Sequence, residues 1–303
     1  MDQIVEISES GRHLSRDKGF LKVSEQGNEI GRVPLDQVTS VIVHGHGTTW
    51  TTSLLVELAN RGVAVVLCDN RHAPRGVLMP IEGHHTQGAR MRAQWEAGRP
   101  LMKQAWKQIV VSKVQMQEQV LAYAGVPSAR LKQLARKVAS GDTSNVEAQA
   151  ARFYWPLLMG SDFRRDLDGS GSNSLLNYGY TILRSAASRA VVAAGLHPTI
   201  GIHHSNRGNA FALSDDIMEP FRPLVDCCVR NIAHDRGTTV DTIAKKSLAK
   251  LIAIDLPVEG STTPLSLALV RLAASLGRSL ESGELQLALP ENPGPMFLAS
   301  LGR

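Results

Sequence analysis

Between residues 1 and 82 the apolar positions fall in short runs and two-residue alternation, the period of strands. IVEIS, NEIGRVPL, VTSVIVHG, VAVVLCD and RGVLMPI each read as one strand, and HLSRDKGFLKV, with its polar centre, reads as a hairpin. A single helix over about 52–60 interrupts them. The stretch VIVHGHGTTWTTSLLVELANRGVAVVLCD also admits a strand–helix–strand unit with a phosphate-cradling loop, but Gly45-His-Gly47 lacks the third glycine of a dinucleotide fingerprint. That reading is set aside. Beyond EGHHTQGARMRAQ, polar and read as a linker over 83–94, the period becomes helical. WEAGRPLMKQAWKQIVVSKVQMQEQVLAYAG opens a run of amphipathic segments to residue 282, punctuated by GVPS, SGDTSN, LDGSGSN and GLHPTIG. The Pro-rich tail, 283–303, reads as irregular. The expected architecture is α+β: a β-rich N-terminal domain (1–82), the linker, and a larger α-helical domain (95–282).

Charge adds a partner class. Among 303 residues, Lys and Arg number 33 against 28 Asp and Glu, a balance that favours a polyanion such as nucleic acid. Cys68, Cys227 and Cys228 form no CxxC pair and leave an odd thiol, so neither a disulfide framework nor a cysteine zinc site is readable. No basic n-region precedes an apolar core at the N-terminus, and charges or glycines break every long apolar run. The expectation is a soluble, cytoplasmic protein.

The densest group of possible ligands is GIHHSNRGNAFALSDDIMEPFRP, residues 201–223. Asp216 and Glu219, at i and i+3, share one face of a helix. They read either as converging oxygen donors or as a helix N-cap with its N3 partner. Glu147 has the same double reading. Ser144-x-x-Glu147 matches a capping box, yet Glu147 shares its face with Ala150, Ala151, Tyr154 and Leu158, which turns the carboxylate inward. A buried carboxylate needs a partner, either a metal ion or an arginine such as Arg222. Glu, His and Asp together would suit Mg²⁺ or Mn²⁺. His44, His46, His84 and His85 read as exposed loop residues.

Three linked motifs carry a resemblance: NSLLNYGYTILRS (173–185), the G-x-x-H-S of GIHHS (201–205) and LSDDIMEPFRPLVD (213–226), with Glu147 upstream in NVEAQAARFYW. Over residues 10–280 the chain resembles the CRISPR-associated spacer-acquisition integrases, the larger of the two universal adaptation subunits. It is most similar to the short forms that accompany single-protein effector nucleases. The resemblance implies an N-terminal β-sandwich-like dimerisation domain and an α-helical catalytic domain. It places metal ligands at Glu147, His204 and Glu219 and a supporting acid at Asp216, while His203 is a neighbour and Asp215 has no assigned role. It also implies a divalent-metal-dependent endonuclease and integrase that inserts captured double-stranded DNA into a CRISPR repeat by transesterification. The implied partners are a second copy of the chain, a small adaptation subunit and the effector nuclease. Arg90, Arg92, Lys103, Lys107, Arg130, Lys132, Arg136 and Lys137 are the cations expected to track phosphates. A general DNA-repair nuclease and a non-catalytic DNA-binding scaffold remain as alternative readings.

Overall fold

The computed structural model describes residues 3–69, 74–81, 83–204, 206 and 208–302. Ser205 of the G-x-x-H-S motif and Glu82, at the expected domain boundary, lie outside them. The chain divides into two compact units, residues 1–85 and 86–303.

The first unit contains β1 (Gln3–Ile7), β2 (Arg12–Asp17), β3 (Phe20–Glu25), β4 (Asn28–Pro34), β5 (Val38–Val43), β6 (Thr49–Trp50), α1 (Thr52–Asn60), β7 (Ala64–Cys68) and β8 (Pro74–Leu78). They form two four-stranded sheets, ordered β1-β5-β7-β8 and β4-β3-β2-β6. The predicted hairpin is β2–β3, closed by Lys18 and Gly19 with φ of 43° and 86°. Positive φ at both central residues matches the twist of the paired strands, and Gly19 adopts it without steric cost. Alternation then sorts the side chains. Val5, Ile7, Val41, Val43 and Val65 from one sheet meet Leu14 and Leu21 from the other, with Leu54 and Leu58 of α1 in the same core. β5 and β7 pair in parallel with α1 between them in sequence, so the strand–helix–strand connection exists. His44, expected to be exposed, is buried at the end of β5, with Nε2 3.5 Å from Glu6 Oε1. Its position directly after a fully buried strand outweighs the loop-like glycines beside it.

The second unit holds α2 (Gln87–Glu96), α3 (Arg99–Tyr123), α4 (Ala129–Lys137), α5 (Val146–Met159), α6 (Ser172–Ala193), α7 (Ala212–Met218), α8 (Arg222–Arg236), α9 (Thr242–Lys250), β9 (Asp255–Val258), β10 (Ser261–Pro264), α10 (Leu265–Ser282) and α11 (Gly294–Ser300). Two expectations need correction here. The linker read over 83–94 is largely helix α2, and the tail read as irregular carries α11. α2 looked like a linker because its inward residues are polar. Arg90 and Gln94, at i and i+4, are buried and hydrogen-bond backbone rather than pack as hydrocarbon: Arg90 Nη1 donates to Ala194 O (2.8 Å) and Gln94 Nε2 to Ile200 O (2.6 Å). The tail is anchored by buried Leu298 and Leu301, whose carbonyls accept from Asn231 Nδ2 of α8 at 3.1 and 2.9 Å. The sequence reading also missed the β9–β10 hairpin, which turns at Glu259–Gly260.

Candidate active site

The site is built where α3, α5, α7 and the start of α8 meet. α5 begins unusually: Asn145 is the N-cap, and Asp142 accepts from the amides of Val146 (2.8 Å) and Glu147 (3.0 Å). The Ser144/Glu147 capping box therefore does not form. With the first amides satisfied by Asp142, the Glu147 carboxylate turns inward and meets Lys113 Nζ of α3 at 2.5 Å.

Asp216 lies inside α7 and is completely buried, so it is not an N-cap. Its carboxylate gathers the preceding loop: Oδ2 accepts from the amides of Ile202 (2.6 Å) and His203 (3.0 Å), and Oδ1 from the amide of His204 (3.4 Å). Oδ1 also lies 2.5 Å from His204 Nδ1. With the proton of this contact on Nδ1, Nε2 keeps its lone pair and could serve a cation. Hydrogen bonding to Asp216 raises the His204 pKa, and burial opposes it. The charges of Glu219 and Glu147 also raise it. The Asp216 pKa is itself raised by burial, against the hydrogen bond from His204. The loop is pinned at its other end by Gln94, whose Oε1 accepts from His197 N at 2.8 Å. Gly201 lets it pass: a Cβ there would lie 2.4 Å from His204 O and 2.9 Å from Asp216 Oδ2.

Glu219 ends α7, at the short turn into α8 made by Pro220 and Phe221. It is buried between two cations. Arg222 Nη1 donates to Oε1 at 2.6 Å, and Lys113 Nζ stands 2.5 Å from Oε2, a charge contact poorly angled for a directed hydrogen bond. Burial pushes the Glu219 pKa up, but Arg222 and then Lys113 outweigh it and hold the carboxyl down at about 2. Behind this layer Asp226 accepts from the Tyr180 hydroxyl, and the Arg222 guanidinium lies 4.4 Å from the Tyr180 ring centroid. Burial lifts the Asp226 pKa to about 6 against the pull of Tyr180 and Arg222. A raised folded-state pKa contributes stability that is full below the unfolded value and is lost as pH rises through about 6. Asp226→Asn is therefore expected to remove a fall in stability of about 2–3 kcal/mol between pH 4 and 6. Urea unfolding across that range checks it, and an identical slope in the variant would contradict the assignment.

Glu147 and Glu219, far apart in sequence, thus approach one ammonium. Among the described residues no three His, Cys, Asp or Glu side chains close into a ready metal cage. The donors nevertheless fit a hard divalent cation in kind, and a cation, Lys113, already stands between the two carboxylates. Of the arginine alternatives, Arg222 serves Glu219, and Glu147 takes Lys113. Asp215 ties α6 to α7 by accepting from Arg184 Nε at 2.6 Å. His203 lies flat on buried Trp106, ring centroids 4.3 Å apart and planes 3° apart, which separates its role from that of His204.

The sequence reading missed Lys113, Asp142 and Asp226. Lys113 had a signal, since it sits at helical spacing among buried Ile109, Val110, Val114 and Met116. Of the expected DNA-tracking cations, Arg90 is corrected: it is buried, bonded to Ala194 O and 3.2 Å from Glu281 Oε2, so it clamps the fold. Arg92, Lys103, Arg130, Lys132, Arg136 and Lys137 are exposed and Lys107 half-buried. Beside His203 opens a cavity of about 480 Å³ lined by Trp95, Arg99, Met102, Lys103 and Trp106.

The family model described as CRISPR associated protein Cas1 matches residues 5–252. The chain belongs to the Cas1 family. A relative from Neisseria meningitidis serogroup C, named CRISPR-associated endonuclease Cas1, is 32% identical over 291 residues, 94% of this chain and 95% of the relative. Among solved structures, a casposase bound to integration product shares the Cas1 fold with a TM-score of 0.79 at 18% identity, covering 95% of this chain and 92% of that one. A Cas6-RT-Cas1–Cas2 complex gives a TM-score of 0.73 at 20% identity, covering 94% of this chain and 36% of that chain. The α+β architecture, strand-rich unit first and helical unit second, is that of Cas1 proteins.

Proposed function

We propose that this chain is a divalent-metal-dependent DNA endonuclease and integrase that joins captured double-stranded DNA to a CRISPR repeat. The observation that carries the reading is the meeting of Glu147 and Glu219 at one ammonium, with His204 oriented by buried Asp216 of the helix that ends at Glu219. Glu147, Glu219 and His204 Nε2 would hold Mg²⁺ or Mn²⁺, and Asp216 would act through His204. When bound, the ion supplies charge neutralisation at the scissile phosphate and at the departing 3′-oxygen. The attacking 3′-hydroxyl oxygen forms one P–O bond as another breaks, so one phosphodiester replaces another and no nucleotide is consumed. Water in place of the hydroxyl makes the same chemistry hydrolysis.

What this chain's own residues do is hold that geometry. Asp142 frees Glu147, Asp216 aims His204, and Arg222 fixes Glu219. Lys103 and Arg99, with neither hydrogen bond nor ion pair among the described residues, border the adjoining cavity, and Trp95 is 77% exposed there. Free cations beside an exposed indole suit phosphates and unstacked bases. Arg92, Lys107, Arg130, Lys132, Arg136 and Lys137 would extend the phosphate track. Joining both ends of a fragment requires two such sites, which a homodimer supplies by symmetry, with a small adaptation subunit bridging dimers and the effector nuclease as a further partner. The similar solved complex named for Cas6, RT, Cas1 and Cas2 supports a second protein beside Cas1 in that assembly. The chemistry belongs in the cytoplasm, and no helix among the described residues is long and apolar enough to cross a membrane.

The test is strand transfer from a labelled fragment with free 3′-hydroxyls into a repeat-bearing plasmid. Transfer at repeat ends that needs Mg²⁺ or Mn²⁺ is expected. Undiminished transfer in excess chelator would remove the metal site. Cleavage with no preference for the repeat would favour a repair nuclease, and DNA binding without chemistry a scaffold.

A further inference from the structure

Lys113 holds an unusual position for a lysine. It lies on the buried face of α3, its side chain only 10% exposed, with Nζ 2.5 Å from Glu147 Oε1 and 2.5 Å from Glu219 Oε2. These are one oxygen from each carboxylate that the proposed function assigns to a divalent ion. A metal held by both glutamates needs the ground that the ammonium now occupies, and two cations cannot share it.

The neighbouring cation is placed differently. Arg222 takes the other oxygen of Glu219, at 2.6 Å, and its guanidinium lies over the Tyr180 ring, so it keeps its contacts whichever cation stands between the glutamates. A guanidinium is held by its fork and by stacking, whereas an ammonium is a compact charge at the end of a flexible four-carbon stem. Of the two, only Lys113 bridges both glutamates, and its stem can carry the charge away. Without any cation, Glu147 and the buried Glu219 would repel each other across a partly dehydrated gap and draw apart.

We propose that Lys113 is a built-in counter-cation: it occupies the Glu147–Glu219 pair in the metal-free protein, keeps the two carboxylates assembled, and is exchanged for the divalent ion on loading. The inference rests on the metal-dependent reading above. Metal uptake is then a replacement of one charge by two at a prearranged pair, and the affinity of the site is set as much by the lysine that leaves as by the ligands that stay. The protein is protected in this way from separating its ligands when metal is scarce, and it loads only when the ion outcompetes the ammonium.

The experiment is calorimetric titration of MnCl₂ into the full-length protein, wild type against Lys113→Met, Lys113→Gln and Glu147→Gln, with thermal melts with and without Mn²⁺. Both Lys113 variants are expected to bind Mn²⁺ on the order of tenfold more tightly, about 1.4 kcal/mol. They should melt lower than wild type without metal and gain more from its addition. Glutamine keeps a polar, uncharged end at the position, so it serves if methionine prevents folding. Mn²⁺ affinity unchanged or weakened in both folded Lys113 variants, while Glu147→Gln abolishes binding, overturns the counter-cation and leaves the metal site standing. Wild type that binds no Mn²⁺ overturns the metal site and this inference together.

Discussion

Glu147→Gln is expected to lower strand transfer and cleavage by at least about two orders of magnitude, with little change in melting temperature. The substitution keeps size and an amide oxygen for Lys113 but removes the anionic donor that a divalent ion requires. Because Asp142, not Glu147, satisfies the first amides of α5, the helix start does not depend on the glutamate charge. Single-turnover transfer assays beside thermal melts make the measurement. An active Glu147→Gln protein would remove this residue from the site. Alanine at Glu219 is a poorer probe, since it would leave Lys113 and Arg222 facing each other without their anion and confuse lost chemistry with lost stability.

The second large effect is expected at Asp216, which touches no substrate. Asp216→Ala should cost about 3–5 kcal/mol of stability and abolish transfer, because three loop amides and the His204 ring lose one shared, fully buried acceptor. Asp216→Asn retains an acceptor and should recover much of the stability but not the activity, since the amide offers no negative charge to the imidazole. A positioning role has its own signature in the imidazole. Asp216 raises the His204 pKa, so in Asp216→Asn the titration followed by NMR should move back down toward the ordinary histidine value. An unmoved His204 titration would mean that Asp216 serves the fold alone.

A good part of this molecule is legible in its residue pattern. Alternation at Val41, Val43 and Val65 and the polar centre of HLSRDKGFLKV mark strands that the two sheets contain, and α1 spans the residues expected of it. Local periodicity reports burial on one face, and that is enough to separate a strand-rich unit from a helical one. The inward direction of Glu147 was readable for the same reason, from the small and apolar stripe it shares. Periodicity fails where the inward face is polar. α2 is held by Arg90 and Gln94 donating to the carbonyls of Ala194, His197 and Ile200, and a helix that buries hydrogen bonds to a distant loop looks like a linker in its own sequence.

The candidate site divides along the same line. Which residues could bind a cation was visible from residue type in Glu147, His204, Asp216 and Glu219, and the linked family motifs, not the local pattern, singled them out. Which partner each takes was not. Capping boxes were equally good local explanations for both glutamates, and only the tertiary structure rejects them, by giving the α5 amides to Asp142 and the loop amides to Asp216. Lys113 comes between Glu147 and Glu219 because α3 crosses the start of α5 and the turn into α8, a meeting of segments separated by 34 positions or more. Sequence by itself determined the type of most elements, the fold class and the chemistry on offer, since these depend on composition and near neighbours. The assignment of each charge to its counter-charge was decided by packing, because in a dehydrated interior the energy of an ion depends on the few groups within several ångströms of it, wherever they stand along the chain.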